Sequence, residues 1–269
     1  MKIILSRKGF DSRYGKQASP ILPNGTLLSL PIPLDNDLQT FTDLSYNGKS
    51  YYDIIRELKP TTIYDQSQTC HLDPDLREEI LLNRDQNWKA VFGQSDGAQT
   101  HLANQGVTIG DVFLFFGWYK ETEELMGKQR LRYKRKALDL HVIYGYFQIG
   151  EIYNNGADLP DYVKYHSHAN EEHQSKKTNC IYVASKNLSL NENLKGAGVL
   201  NYAPRRVLTK NGMTRTKWEL PDFFRQLTIS HHNQNSFKED HFKSVDIGQE
   251  FVIEANEELV EWTKQIIED

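Results

Sequence analysis

The sequence predicts an α+β fold built around a mixed or antiparallel sheet, with short peripheral helices and a helix at the C-terminus. Three observations carry this. Two segments in the middle, Gly110 to Trp118 and Leu140 to Ile152, are rich in β-branched and aromatic residues, the composition that suits a pleated, buried surface. Strands and helices do not alternate regularly, which argues against a doubly wound parallel fold. The stretch Glu257 to Ile267 has the spacing of an amphipathic helix, with Leu259, Val260, Trp262, Ile266 and Ile267 as its apolar positions.

The elements follow in order. Residues 2 to 6 read as a first strand, and a punctuated stretch over 9 to 37 holds a short strand at Thr26 to Leu30. Tyr51 to Leu58 is a short helix ended by Pro60, and Asp73-Pro74-Asp75 reads as the start of a helix over Leu76 to Leu82. Gly97 to Asn104 is a helix stopped by Gly106. The two central strands form a hairpin whose connection carries the basic run Lys128 to Lys136. Further strands are expected at Asn179 to Ser185, Gly198 to Tyr202 and Gln249 to Glu254, with a turn or short helix at Leu220 to Phe224. The polar segments 167 to 178 and 232 to 246 read as solvent-exposed loops. No internal repeat or low-complexity linker divides the chain, so 1 to 269 is read as one domain.

Composition narrows the function. With 38% hydrophobic residues in 269, a sizeable core can be buried, and 30 aromatic residues suffice both for packing and for stacking on bases. The net charge of −4 argues against indiscriminate nucleic-acid binding but allows a basic patch. Two cysteines, Cys70 and Cys180, match neither a metal-site spacing nor a disulfide framework, and a reducing cytoplasm is the simplest setting. No apolar run approaches the roughly 18 residues of a membrane span, and no membrane partner is expected. Oligomeric state is not readable.

Several blocks resemble the third type of the nucleotide modification associated domain family. They are Ser6-Arg7-Lys8-Gly9-Phe10-Asp11, Ser19-Pro20-Ile21, His71 to Leu76, Phe92-Gly93-Gln94, His101 to Val107, Phe116-Gly117-Trp118, Asp139 to Gly145, Tyr165-His166, Tyr182 to Ser185, Gly196-Ala197-Gly198 and Gly248 to Val252. The insert at 119 to 137 departs from that pattern. The resemblance implies association with viral and bacterial systems that make, read or counter modified DNA bases. The central strands also resemble the core of PUA-like barrels, which implies a barrel-like core over roughly 105 to 255 and an aromatic pocket for a modified base.

Candidate residues follow from chemistry. Asp11, just past the first strand, and Glu151, at the end of the second central strand, are the candidate catalytic carboxylates. A carboxylate stabilises the positive charge that builds on deoxyribose as an N-glycosidic bond breaks. For Asp11 the plainer alternative is a turn-forming aspartate. Gln94, Gln99, His101, Asn104 and Gln105 offer paired donors and acceptors suited to the edge of a flipped base. Trp118 and Tyr144, with Tyr119 and Tyr146, are candidates for stacking on it. Lys8, Arg130, Arg132, Arg135, Arg205 and Arg206 are the candidate phosphate contacts. Lys8 is also an amine able in principle to form a Schiff base. Asp139 and His141 alternate on one strand face and are a candidate carboxylate–imidazole pair. His166-Ser167-His168, His173, His71, Asp73 and Asp75 invite a metal reading, but the spacing is weak and lacks a zinc-deaminase signature, so no metal and no cofactor are expected. Together these readings favour a DNA glycosylase acting on hypermodified, for example glucosylated, bases in antiviral defence. The alternatives are a non-catalytic reader of modified bases and an enzyme that installs modifications.

Overall fold

The computed structural model describes residues 1–82, 84–125, 130–245 and 250–268. Its centre is a nine-stranded mixed sheet formed by β1 (Lys2–Arg7), β2 (Ser19–Ile21), β3 (Val91–Gln94), β4 (Val112–Leu125), β5 (Arg130–Tyr133), β6 (Leu140–Asn154), β7 (Cys180–Ala184), β8 (Ala197–Val199) and β9 (Glu250–Glu254). The main path runs β9-β1-β4-β6-β7-β3, and β2, β5 and β8 add at the sides. β1 pairs parallel to β4, Ile3 opposite Val112 and Leu5 opposite Leu114, and antiparallel to β9. β4 and β6 form the long antiparallel pair, whose register shifts at Tyr144 between Ile143 and Gly145.

The α+β expectation is met, and so are most elements. The helix α1 (Tyr51–Leu58) has the expected bounds: the Ser50 hydroxyl accepts from the Asp53 amide at 3.0 Å, and Tyr51, Tyr52, Ile54, Ile55 and Leu58 face inward. Helix α2 spans Asp96–Asn104, and the short helix α3 spans Glu171–Gln174. Helix α4 (Glu257–Ile267) starts at Asn256, whose side chain accepts from the Leu259 amide at 2.9 Å, and it buries Leu259, Ile266 and Ile267 against the sheet. No closed barrel forms among the described residues. The path nevertheless curls until its two edge strands face each other, for Gln94 on β3 donates to Glu250 on β9.

Period-two alternation builds two cores from the same strands. Ile3, Leu5, Val112, Leu114 and Phe116 pack on one face with Trp218, Phe251 and α4. Ile4, Phe113, Phe115, Phe92, Phe147, Tyr182 and Val252 fill the inside of the curl. Its rings meet edge-on or stacked, with Phe92 at 4.9 Å from Phe113 and 5.6 Å from Tyr182.

Three local expectations fail. Thr26 to Leu30 makes only isolated bridges, at Thr26 and Leu27. Leu76 to Leu82 is not an α-helix but a single 3₁₀ turn over Glu78–Ile80, because Asp75 exchanges two backbone hydrogen bonds with Val91 and is held extended. Residues 167 to 178 are not a solvated loop: Ser167, His168 and His173 are buried. The basic run is partly strand, in β5, with Lys128 and Gln129 outside the described residues, as are Gly248 and Gln249 near the last strand.

Candidate functional site

A buried charge cluster closes one end of the curl. Alternation along β1 places Ile4 and Ser6 on the inner face, and Lys8 extends that row because its amide continues the ladder to the Phe116 carbonyl at 2.9 Å. Glu250 lies opposite Ser6 on β9, and Gln94 follows Phe92 by two on β3, so both share this face. The Lys8 ammonium sits 3.4 Å from Asp73 Oδ2, 3.5 Å from Glu250 Oε1 and 4.5 Å from the Phe92 ring centroid. Its side chain is 8% exposed, against 3% and 1% for the two carboxylates. Glu250 Oε2 is buried and has no hydrogen-bond partner among the described residues.

Asp73 is the hub. Its Oδ1 accepts the Gly93 amide proton at 2.7 Å and lies 3.4 Å from His166 Nε2. His166 Nδ1 accepts the His168 amide proton at 3.2 Å, which leaves Nε2 as the protonated nitrogen facing Asp73. Burial alone would push the Asp73 carboxyl up. The Lys8 charge and the adjacent His166 imidazole overcome it and hold the carboxyl well below the usual carboxylate range.

Beyond Gly93 lies a group of imidazoles. A Cβ at Gly93 would come within 2.2 Å of the His168 ring, so this close approach requires glycine. The His168 ring centroid lies 5.1 Å from that of His71 and 4.3 Å from that of His173. Burial holds the His168 and His173 rings below the ordinary imidazole range, His168 furthest.

A cavity of about 250 Å³ opens beside His166. Trp88, Tyr162 and Tyr165 give it aromatic walls, and Asp75, Arg84 and Asp85 supply polar groups. Arg84 grips Asp75 through two hydrogen bonds, 2.5 and 2.7 Å, and its guanidinium lies 4.8 Å from the Trp88 ring centroid. Behind the Tyr162 wall sits Glu151. Its Oε2 accepts from Tyr153 at 2.6 Å and Tyr162 at 3.5 Å, and its Oε1 accepts from Lys89 at 2.7 Å. The bond from Lys89 and then that from Tyr153 hold the Glu151 carboxyl below its ordinary range, so it is ionised at neutral pH.

The sequence-predicted candidates scatter. Asp11 Oδ1 accepts the amide protons of Arg13 and Tyr14 at 2.7 and 2.6 Å, the geometry of an Asx turn. Gln94 joins the buried cluster, Gln99 accepts from the Tyr182 hydroxyl at 2.8 Å, and His101 Nε2 meets Ser230 Oγ at 3.0 Å. Asn104 and Gln105 end α2 in solvent. Trp118 donates to Asp139 at 2.8 Å and carries the Arg215 guanidinium 4.1 Å from its ring centroid, while Tyr144 is core. Asp139 and His141 do not pair, since His141 Nδ1 instead accepts from the Trp218 indole at 3.1 Å. Lys8 is spent on two carboxylates. Arg132 pairs with Glu123 at 2.8 Å, and Arg130 and Arg135 are exposed. Arg205 donates to the Gln265 carbonyl at 2.9 Å, and the buried Arg206 donates to the Ile266 and Asn201 carbonyls at 2.8 Å, closing the end of α4. Asp73 was weighed only as a metal ligand, and Glu250 and the Trp88–Tyr162–Tyr165 wall were not picked out from the sequence as site residues. Asp73, Tyr165 and Glu250 lie within family-like blocks.

A curled mixed sheet with a charged, histidine-rich end and an aromatic cavity defines an α+β domain. The profile of nucleotide modification associated domain 3 matches residues 2–254, and the chain belongs to that family. No curated protein and no solved structure matches it. The family indicates a nucleotide-modification theme and an association with nucleic acid. No helix among the described residues is long and apolar enough to cross a membrane.

Proposed function

We propose that this protein is a DNA glycosylase that removes bulky modified bases from viral DNA and leaves an abasic site. The observation that carries the reading is the aromatic cavity with an ionised carboxylate, Glu151, hydrogen-bonded to its Tyr162 wall. An extruded base stacks among Trp88, Tyr162 and Tyr165, with Arg84, Asp85 and His166 in reach of its polar edge. In this reading the deoxyribose lies outside the cavity on the Tyr162 side, where Glu151 is partly exposed. As the C1′–N bond breaks, its electron pair leaves with the base and positive charge builds on the sugar, which the Glu151 carboxylate stabilises. A water oxygen bonds to C1′ and keeps one proton in the new hydroxyl, Glu151 takes the other, and the departing base is protonated from solvent, to which Glu151 then returns its proton. Asp73 and Lys8 act behind the cavity by fixing the His166 ring. Asp11 keeps its turn.

The test is incubation with two DNAs, one unmodified and one carrying hypermodified pyrimidines. Free bases are read by mass spectrometry and abasic sites by alkali. Released modified base from the second DNA only, lost in Glu151→Gln and kept in Asp11→Asn, is the expected result. Binding to that DNA with no base released would replace the glycosylase by a reader that uses the same cavity.

A further inference from the structure

We propose that His71, His168 and His173 form a three-histidine site for one divalent first-row transition-metal ion, at the buried end of the curl. One ring nitrogen from each lies within 4.8 Å of the others. The site joins His71, at the end of the Thr69–His71 strand, to two residues far along the chain, His168 in the Ser167–Ala169 turn and His173 on α3.

The hydrogen bonds around the rings settle which nitrogens can bind. His71 Nδ1 meets Asp37 Oδ2 at 2.7 Å. His168 Nδ1 meets Asn179 Oδ1 at 2.8 Å, and the Asn179 amide group is oriented by its own bond to the His168 carbonyl at 2.9 Å. His173 Nδ1 meets Asn170 Oδ1 at 3.1 Å, an oxygen that also accepts the His173 amide proton at 2.8 Å. Each partner is an acceptor, so each Nδ1 carries the proton and each Nε2 is left with its lone pair. This is the outer-sphere pattern that orients metal-bound histidines, one carboxylate and two amides standing behind three rings. Gly93 makes room for the His168 ring at its place in the group.

Imidazole-only sets suit zinc, iron, nickel or copper rather than magnesium or calcium, and three protein ligands leave a coordination position open. Metal–nitrogen bonds of about 2.0–2.1 Å would bring the three nitrogens to roughly 3.3 Å apart, about one and a half ångströms inside their present 4.8 Å limit. Burial alone accounts for each Nδ1–H finding an acceptor, but it does not require three imidazoles to gather with one nitrogen of each within 4.8 Å of the others. The site stands independently of the glycosylase reading, because its test reads metal and not base release.

Chelator-treated full-length protein is titrated with Zn²⁺ by calorimetry and with Co²⁺ by visible absorption. One ion per chain with micromolar or tighter affinity is expected, together with a Co²⁺ d–d spectrum and a rise in Tm on metal addition. His173→Gln is expected to weaken binding at least a hundredfold, and Asp37→Asn by about 10–100-fold. No binding at micromolar metal would overturn the proposal, as would wild-type affinity in both His173→Gln and His168→Gln. If those variants do not fold, the wild-type titration and Asp37→Asn decide the matter alone.

Discussion

The charged end of the curl and the aromatic interior beneath it share β1, β3 and β9, yet they follow opposite rules. Phe113, Phe115, Phe92 and Phe147 are fully buried apolar rings whose contacts stabilise the fold directly. Beside them, Lys8 two residues beyond Ser6, Glu250 two residues before Val252, and Asp73 and His166 from loops are almost as buried but polar. Removing such charges from water is costly, and their mutual attraction offsets that cost only in part. An apolar lid would close the curl at less expense. The difference teaches that the interior is explained by packing, and the end by something the fold itself does not need.

The sharpest way to break that comparison is to remove one charge. Lys8→Met leaves Asp73 and Glu250 buried without their cation and is expected to destabilise the protein by about 3–5 kcal/mol. Adding Asp73→Asn and Glu250→Gln to Lys8→Met is expected to recover much of the loss, since no buried charge then remains unpaired. Denaturant unfolding of the single and triple variants decides it, and a triple variant no more stable than the single one would show that the cluster is structural. Phe115→Ala tests the other half. It opens a cavity in the interior and is expected to cost about 3–5 kcal/mol, with no second substitution in the charged cluster able to restore it. Its three-histidine metal affinity is expected to stay within a few-fold of wild type.

How much of this could be read from the chain follows the same division. The interior was legible because apolar alternation writes itself into β1, β4 and β6, and α1 and α4 announced their starts through Ser50 and Asn256. The charged end was not. Lys8 and Glu250 are brought together by a strand pairing between the two ends of the chain, and no local pattern records it. Residues 167 to 178 read as solvated because histidine, serine and asparagine count as polar in any periodicity, although here they satisfy one another inside the protein. The amide cluster at 94 to 105 was compact in sequence but divides in space, because Gln94 and Gln99 point into different partners. The basic run looked like a phosphate-binding loop until β4 supplied Glu121 and Glu123 across from Lys134 and Arg132.

A smaller effect separates the two buried histidine environments. His141 lies on the outer core, where burial first, and then the charges of Arg215 and Arg7, push its imidazole well below the ordinary range. It is neutral in the folded protein and takes a proton more readily once unfolded. The unfolded state therefore binds more protons as pH falls below about 6.5, the ordinary imidazole value, and stability drops with it. Above that pH the contribution is fully present. Unfolding free energies between pH 7.5 and 5 are expected to decline in the wild type and to decline less steeply in His141→Asn, which starts from lower stability because its Trp218 contact is altered. Equal slopes would place the sensitivity elsewhere.

The smallest expected effect lies outside both regions, on the hairpin of β4 and β5. Arg132 stands opposite Glu123, and Lys134 pairs with Glu121 at 2.9 Å, all four side chains well exposed. Exposed ion pairs of this kind contribute about 0.2–1 kcal/mol and weaken with salt. Arg132→Ala is thus expected to leave the unfolding midpoint nearly unchanged. Its effect on DNA is also expected to be slight, because the acidic strand beside it already cancels much of the field that the basic run would present to phosphate. The salt dependence of DNA binding is the measurement. A slope that falls by about one on Arg132→Ala would show that the arginine leaves Glu123 for a phosphate. An unchanged slope would show that Arg132 makes no phosphate contact and stays with Glu123.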